Sequence, residues 1–130
     1  MARTDKKVGY SPSGKVEDVT PEMAAGGVER ALRMLEGRWK MVIIFQMFHS
    51  GILRFSELER AIPGISQKML IQQLRELERD GIVFRTVYPE VPPKVEYGLT
   101  EWGQALCPAL DQLLEWAALR FGTLKAEDRR

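Results

Sequence analysis

Between Gly64 and Val83 the chain reads "GISQKMLIQQLRELERDGIV", and its apolar and polar positions recur with the period of a helix. At 100° per residue, Leu70, Leu74 and Leu77 fall within a sector of about 60° and form an inward face. Lys68, Gln72, Arg75 and Arg79 fill a stripe of about the same width opposite, with Glu76 and Glu78 on its flanks. Ser66 supplies an N-cap and Asp80-Gly81 a stop. The pattern predicts an anchored helix with an outward stripe of cations and amides, and raises the question of what that stripe faces.

The same periodicities place the other elements. Thr20 caps a first helix with Pro21 at its first position, and Val28, Leu32 and Leu35 follow at helical spacing until a close near Gly37. "RWKMVIIFQMFHSG" puts Trp39, Val42, Ile43, Phe45, Met47 and Phe48 on nearly all sides, which suits a central helix ended by Gly51. "RFSELERAI" predicts a short third helix with Ser56 and Glu59 as its capping box, stopped before Pro63-Gly64. After the fourth helix the period becomes two. Val83, Arg85 and Val87 alternate with Phe84, Thr86 and Tyr88, and Val95, Tyr97 and Leu99 line one face of a second strand across "PEVPP". Thr100 caps a last long helix striped by Leu106, Leu110, Leu113, Ala117 and Phe121, widened by Leu114 and Trp116 and kinked by Pro108. The expected fold is mainly α with a small β-ribbon. Residues 1–19, poor in large apolar side chains, are expected to form a flexible tail, and 20–130 a single domain.

Composition narrows the partners. With 130 residues, 45% of them hydrophobic, the chain can bury one core. Nineteen basic against eighteen acidic residues leave a net charge of +1, so any nucleic-acid surface must come from the placement of charges. From Arg54 to Tyr97 seven basic residues stand against seven acidic ones. A lone Cys107 excludes an internal disulfide and a multi-cysteine metal site. The longest apolar run, "MVIIF", falls far below the roughly 20 residues of a membrane span, and the first residues lack the apolar centre of a secretory signal. A cytoplasmic protein without membrane contact is expected.

A short capped helix, a tight turn, a second helix with outward amides and cations, and then a two-stranded ribbon make the pattern of a winged helix-turn-helix. Arg75 suits bidentate contact with guanine and Gln72 with adenine, while Lys68, near the helix start with Ser66 and Gln67, suits a phosphate. Lys94, flanked by Pro92, Pro93 and Glu96, stands at the wing tip, and Arg54 can meet a phosphate or pair with Glu57 or Asp80. The competing reading is a solvated helix face held by i,i+4 charge pairs.

"GRWKMVIIFQM", "GILRFSELERAIPGISQKMLIQQLRELERDGIV", "YPEVPPKVEYGLT" and the Gly, Leu and Trp run from Gly103 to Trp116 follow one another as in the HxlR-type branch of the MarR-like winged-helix regulators, which the chain resembles from Gly27 to Trp116. The resemblance implies a homodimer built by the first and last helices. It also implies a palindromic operator, with Ser66–Asp80 as the recognition helix. Many relatives carry a redox-sensing cysteine just before the first helix; Gly26 stands at that place, so no thiol switch is carried over.

Other constellations carry less. "GYSPSGKV" nearly spells a phosphate-binding loop, but Val16 stands where a hydroxyl is needed for Mg²⁺. His49, the single histidine, suits a helix C-terminus, and without a second histidine or an elbow serine neither a His-rich metal site nor a hydrolase triad is expected. Cys107 suits packing. Trp39, Trp102, Phe45 and Phe48 could line a cavity for a small-molecule effector, although aromatic residues at helical spacing are more often core. The sequence therefore predicts a DNA-binding regulator, more plausibly a repressor, that binds double-stranded DNA as a homodimer through Ser66, Gln67, Lys68, Gln72, Arg75 and Lys94. No catalytic residue, cofactor or metal is expected. The alternative is a winged-helix module that uses the same surface for protein.

Overall fold

A computed structural model describes residues 19–122, which fall into two compact units divided between Glu36 and Gly37. The segment expected to form a tail lies, except for Val19, outside the described residues, as does the near phosphate loop.

The first unit holds one helix, α1 (Pro21–Met34), capped by the Thr20 hydroxyl, which accepts from Met23 N at 3.1 Å. The helix ends at Met34, somewhat before Gly37, and Gly26 lies inside it rather than ahead of it. None of its residues is buried, and Met23, Val28 and Leu32 are exposed.

The second unit begins with α2 (Arg38–Ser50), entered through Gly37 and left through Gly51, both at positive φ. Ile43, Ile44 and Met47 are buried, and so is Lys40. A two-residue strand, β1 (Leu53–Arg54), leads directly into α3 (Phe55–Ala61). The capping box at Ser56 and Glu59 is therefore corrected. The N-cap is Arg54, whose backbone N–H donates to Glu57 Oε1 at 2.8 Å, and Ser56 is already inside the first turn. Pairing of β1 with the sheet fixes Arg54 in extended conformation, so the helix starts where the strand ends.

Gly64, at φ 89°, turns the chain into α4 (Gln67–Arg79), where Ser66 Oγ accepts from Met69 N at 3.0 Å as the cap pattern predicts. Leu70, Leu74 and Leu77 are buried, as are Ile43, Ile44, Met47, Leu58, Ile62, Ile82 and Val83, which make up the core with them. β2 (Val83–Tyr88) and β3 (Lys94–Leu99) pair antiparallel from Val83 with Leu99 to Tyr88 with Lys94. The sheet has three strands, in the order β1-β3-β2, instead of two. A two-residue strand has too little alternation to announce itself.

Helix α5 (Glu101–Gln104) is capped by Thr100, whose hydroxyl accepts from Gly103 N at 3.0 Å and donates to Gly81 O at 2.6 Å. Gly103 lets this turn press onto the preceding chain, since a Cβ there would lie 2.3 Å from the Ile82 carbonyl oxygen. The long last helix is thus broken at Ala105 before α6 (Leu106–Phe121) begins. Pro108 explains the position: the N–H it lacks would have bonded the Gln104 carbonyl, and its ring crowds that same group. Leu110 is the buried anchor of α6, whereas Leu113, Trp116, Leu119 and Phe121 are exposed.

Candidate nucleic-acid interface

Burial of Leu70, Leu74 and Leu77 on one side of α4 leaves its other side to solvent. Ser66, Gln67, Lys68, Gln72, Arg75 and Arg79 are all exposed. The sequence stripe is therefore a real surface, bounded on one side by a groove of about 520 Å³ that includes Phe55, Ile71, Arg85, Val95 and Tyr97.

The local charge balance is resolved by pairing. Lys40, 7% exposed, rises from α2 and places Nζ 2.6 Å from Glu76 Oε1. Gln72 Nε2 donates to the other Glu76 oxygen at 3.4 Å. The Lys40 hydrogen bond, then that of Gln72, then the Lys40 charge hold the Glu76 carboxyl below the usual carboxylate range. Glu78 lies 3.8 Å from Arg85, Asp80 3.4 Å from Arg79, and Glu96 3.8 Å from Lys94. Among the described residues, Lys68 and Arg75 make no ion pair. Each carboxylate of α4 and its C-cap thus has a cation within 3.8 Å, whereas Lys68 and Arg75 on the exposed helix face have no ion-pair partner among the described residues. Internal i,i+4 ion pairing does not account for the stripe.

At the wing, Lys94 is half-buried. Its ammonium lies 4.6 Å from the centre of the Tyr88 ring and beside Glu96, so it is folded back along the hairpin. Glu96 also accepts from the Tyr88 hydroxyl at 3.1 Å, and this bond followed by the Glu96 charge raises the Tyr88 pKa. Burial raises that of Tyr97. Arg54 is exposed and faces Lys94 across a groove of about 480 Å³ that also includes Ser56, Pro92 and Pro93. Its side chain makes no ion pair with Glu57 or Asp80 among the described residues; only its backbone meets Glu57.

Two residues at this interface escape a reading by type alone. Lys40 sits in the apolar run "RWKMVIIF", where a lone lysine is the signal of a buried partner elsewhere. Ile71 lies on α4 outside the leucine sector and is 38% exposed amid the polar stripe.

Away from this face, a cavity of about 420 Å³ is bordered by Met47, Phe48, Ile52, Phe84, Gln104 and Cys107. Of the four aromatics expected to share a cavity, Phe48 alone borders it. Phe45 packs edge-on against Phe48 at 5.7 Å, Trp39 lies under the Arg38 guanidinium at 4.4 Å, and Trp102 is exposed. Among the described residues no cluster of His, Cys, Asp or Glu could hold a metal ion, and no helix is long and apolar enough to cross a membrane.

A capped helix presented behind a tight turn, with a β-hairpin beside it, defines a winged helix-turn-helix protein of the MarR-like class. The family model described as HxlR-like helix-turn-helix matches residues 34–124, and the chain belongs to that family; it is a transcriptional regulator with a helix-turn-helix domain. It is 54% identical over 91 residues to YtcD, an HTH-type transcriptional regulator of Bacillus subtilis (strain 168), covering 70% of this chain and 71% of that protein. The crystal structure of a MarR-family transcriptional regulator from Enterococcus faecalis V583 superposes with a TM-score of 0.72 at 38% identity, covering 80% of this chain and 91% of that one. The reduced form of the redox regulator HypR gives 0.66 at 49% identity, covering 72% and 91%.

Proposed function

We propose that the protein is a sequence-specific DNA-binding repressor that acts in the cytoplasm as a homodimer on a palindromic operator. One α4 enters the major groove of each half-site. The observation that carries this reading is that Lys68 and Arg75 are exposed and without an ion-pair partner among the described residues, on a helix whose Glu76 carboxylate is paired with the buried Lys40 of α2. Gln67, Gln72 and Arg75 read base edges, Lys68 and the free N–H groups at the Ser66 cap take a phosphate, and Lys94 leaves Glu96 for the backbone beside the wing. The exposed apolar side of α6, together with Met23, Val28 and Leu32 of α1, supports the dimer. Repression follows when the bound dimer excludes polymerase.

The test is selection of bound duplexes from a random pool. Paired half-sites about 34 Å apart, centre to centre, are expected for a twofold dimer. Failure to retain any duplex even at low salt would overturn the reading and favour a winged-helix module that binds protein.

A further inference from the structure

The apolar residues of α4 do not all turn inward: Leu70, Leu74 and Leu77 are buried, while Ile71 is 38% exposed. One helical turn separates Ile71 from Gln67 and Lys68 on one side and from Arg75 on the other, so it is enclosed by the residues best suited to a duplex. It borders both the groove towards β2 and β3 and the outer face shared by Lys68, Gln72 and Arg75. The part of Ile71 left in water is apolar area among cations and amides, and folding of the unit alone does not use it. Of the groups in the major groove, only the C5-methyl of thymine is apolar, and it offers a β-branched side chain a contact that hydrogen-bonding neighbours cannot provide.

Building on the DNA reading above, we infer that Ile71 determines specificity by packing on a thymine C5-methyl group in each half-site. Gln67 and Arg75 fix the register around it, and cytosine, which lacks the methyl, is disfavoured at that step.

The experiment uses the full chain and the duplex recovered from the random pool, with each thymine replaced in turn by deoxyuridine, which removes the methyl and keeps the pairing. Replacement at one step, made in both half-sites, is expected to weaken wild-type binding about fifteenfold, from roughly fourfold for each methyl. Ile71→Ala is expected to bind the thymine duplex about as weakly and to be indifferent to uracil at that step. The inference is overturned if the selected half-site has no thymine under α4, if no replacement weakens the wild type, or if Ile71→Ala remains sensitive to the same methyl. The uracil scan on the wild type requires no variant, so misfolding of Ile71→Ala cannot mask the result. Recovery of an operator with no methyl dependence sinks this inference alone, whereas recovery of no duplex sinks the DNA reading as well.

Discussion

Replacing Lys68 by alanine separates the surface reading from simple charge counting, because Lys68 is exposed and has no ion-pair partner among the described residues, whereas Arg79, three turns further on, lies 3.4 Å from Asp80. A lysine that neutralises a phosphate releases condensed counterions, with a slope of about −0.9 in log K against log salt for each contact. A dimer presents the residue twice, so Lys68→Ala should flatten the slope by about 1.8. Between 50 and 200 mM salt, the wild type should then lose about twelvefold more affinity than the variant. Arg79→Ala removes a charge already shared with Asp80 and should flatten it less. Fluorescence anisotropy of a labelled operator duplex over that salt range, with a random duplex as control, measures both slopes. The Lys68 change should appear on both duplexes, since phosphate contacts carry no sequence. An unchanged slope for Lys68→Ala, or an equal one for Arg79→Ala, would refute the argument that pairing decides which cations meet DNA.

Arg75→Ala and Gln72→Ala should each cost about 1–3 kcal/mol on the operator and little on random DNA in the same assay. Gly103→Ala should destabilise the protein by about 1–3 kcal/mol in urea unfolding, because a methyl 2.3 Å from the Ile82 carbonyl oxygen outweighs the better helix propensity of alanine. Gly26→Ala, in α1 with open space around it, should leave stability unchanged or raise it. Lys40→Met should weaken operator binding by leaving the Glu76 carboxylate uncompensated beside Gln72, and adding Glu76→Gln should restore it. Since the Glu76 pKa is lowered by folding, the stability contributed by that pair is present above the ordinary glutamate range and is lost as pH falls through the lowered value; acid titration of the wild type against Lys40→Met measures it. Trp116→Glu, at a side chain 70% exposed, should leave the fold intact and give a monomer in sedimentation, and a persisting dimer would exclude α6 from the interface.

The helices of the second unit were legible because their inward and outward faces differ over several turns. Leu70, Leu74 and Leu77 are buried as the wheel places them, and the Ser66 cap and Gly81 stop are where their chemistry requires. Short elements were not. The strand β1 exists through its partners on β3, and by pairing there it moves the cap of α3 to Arg54, with Glu57 as the accepting carboxylate, a pair that a search for serine followed by glutamate passes over. Pro108 announced a disturbance, but only its effect on the Gln104 carbonyl locates the break at Ala105.

The site was legible in its residue types and not in its electrostatics. Seven cations and seven carboxylates between Arg54 and Tyr97 give no net surface on paper. What separates them is tertiary: Lys40 arrives from a different helix and, nearly out of water, removes Glu76 from the stripe, while the hairpin brings Arg85 to Glu78. A buried lysine has to find a carboxylate, and the carboxylate it finds holds Gln72 in turn. The pair that joins α2 to α4 therefore also sets what α4 offers outward. Mutations at position 40, remote from any duplex, should change DNA affinity through Glu76 before they change the fold.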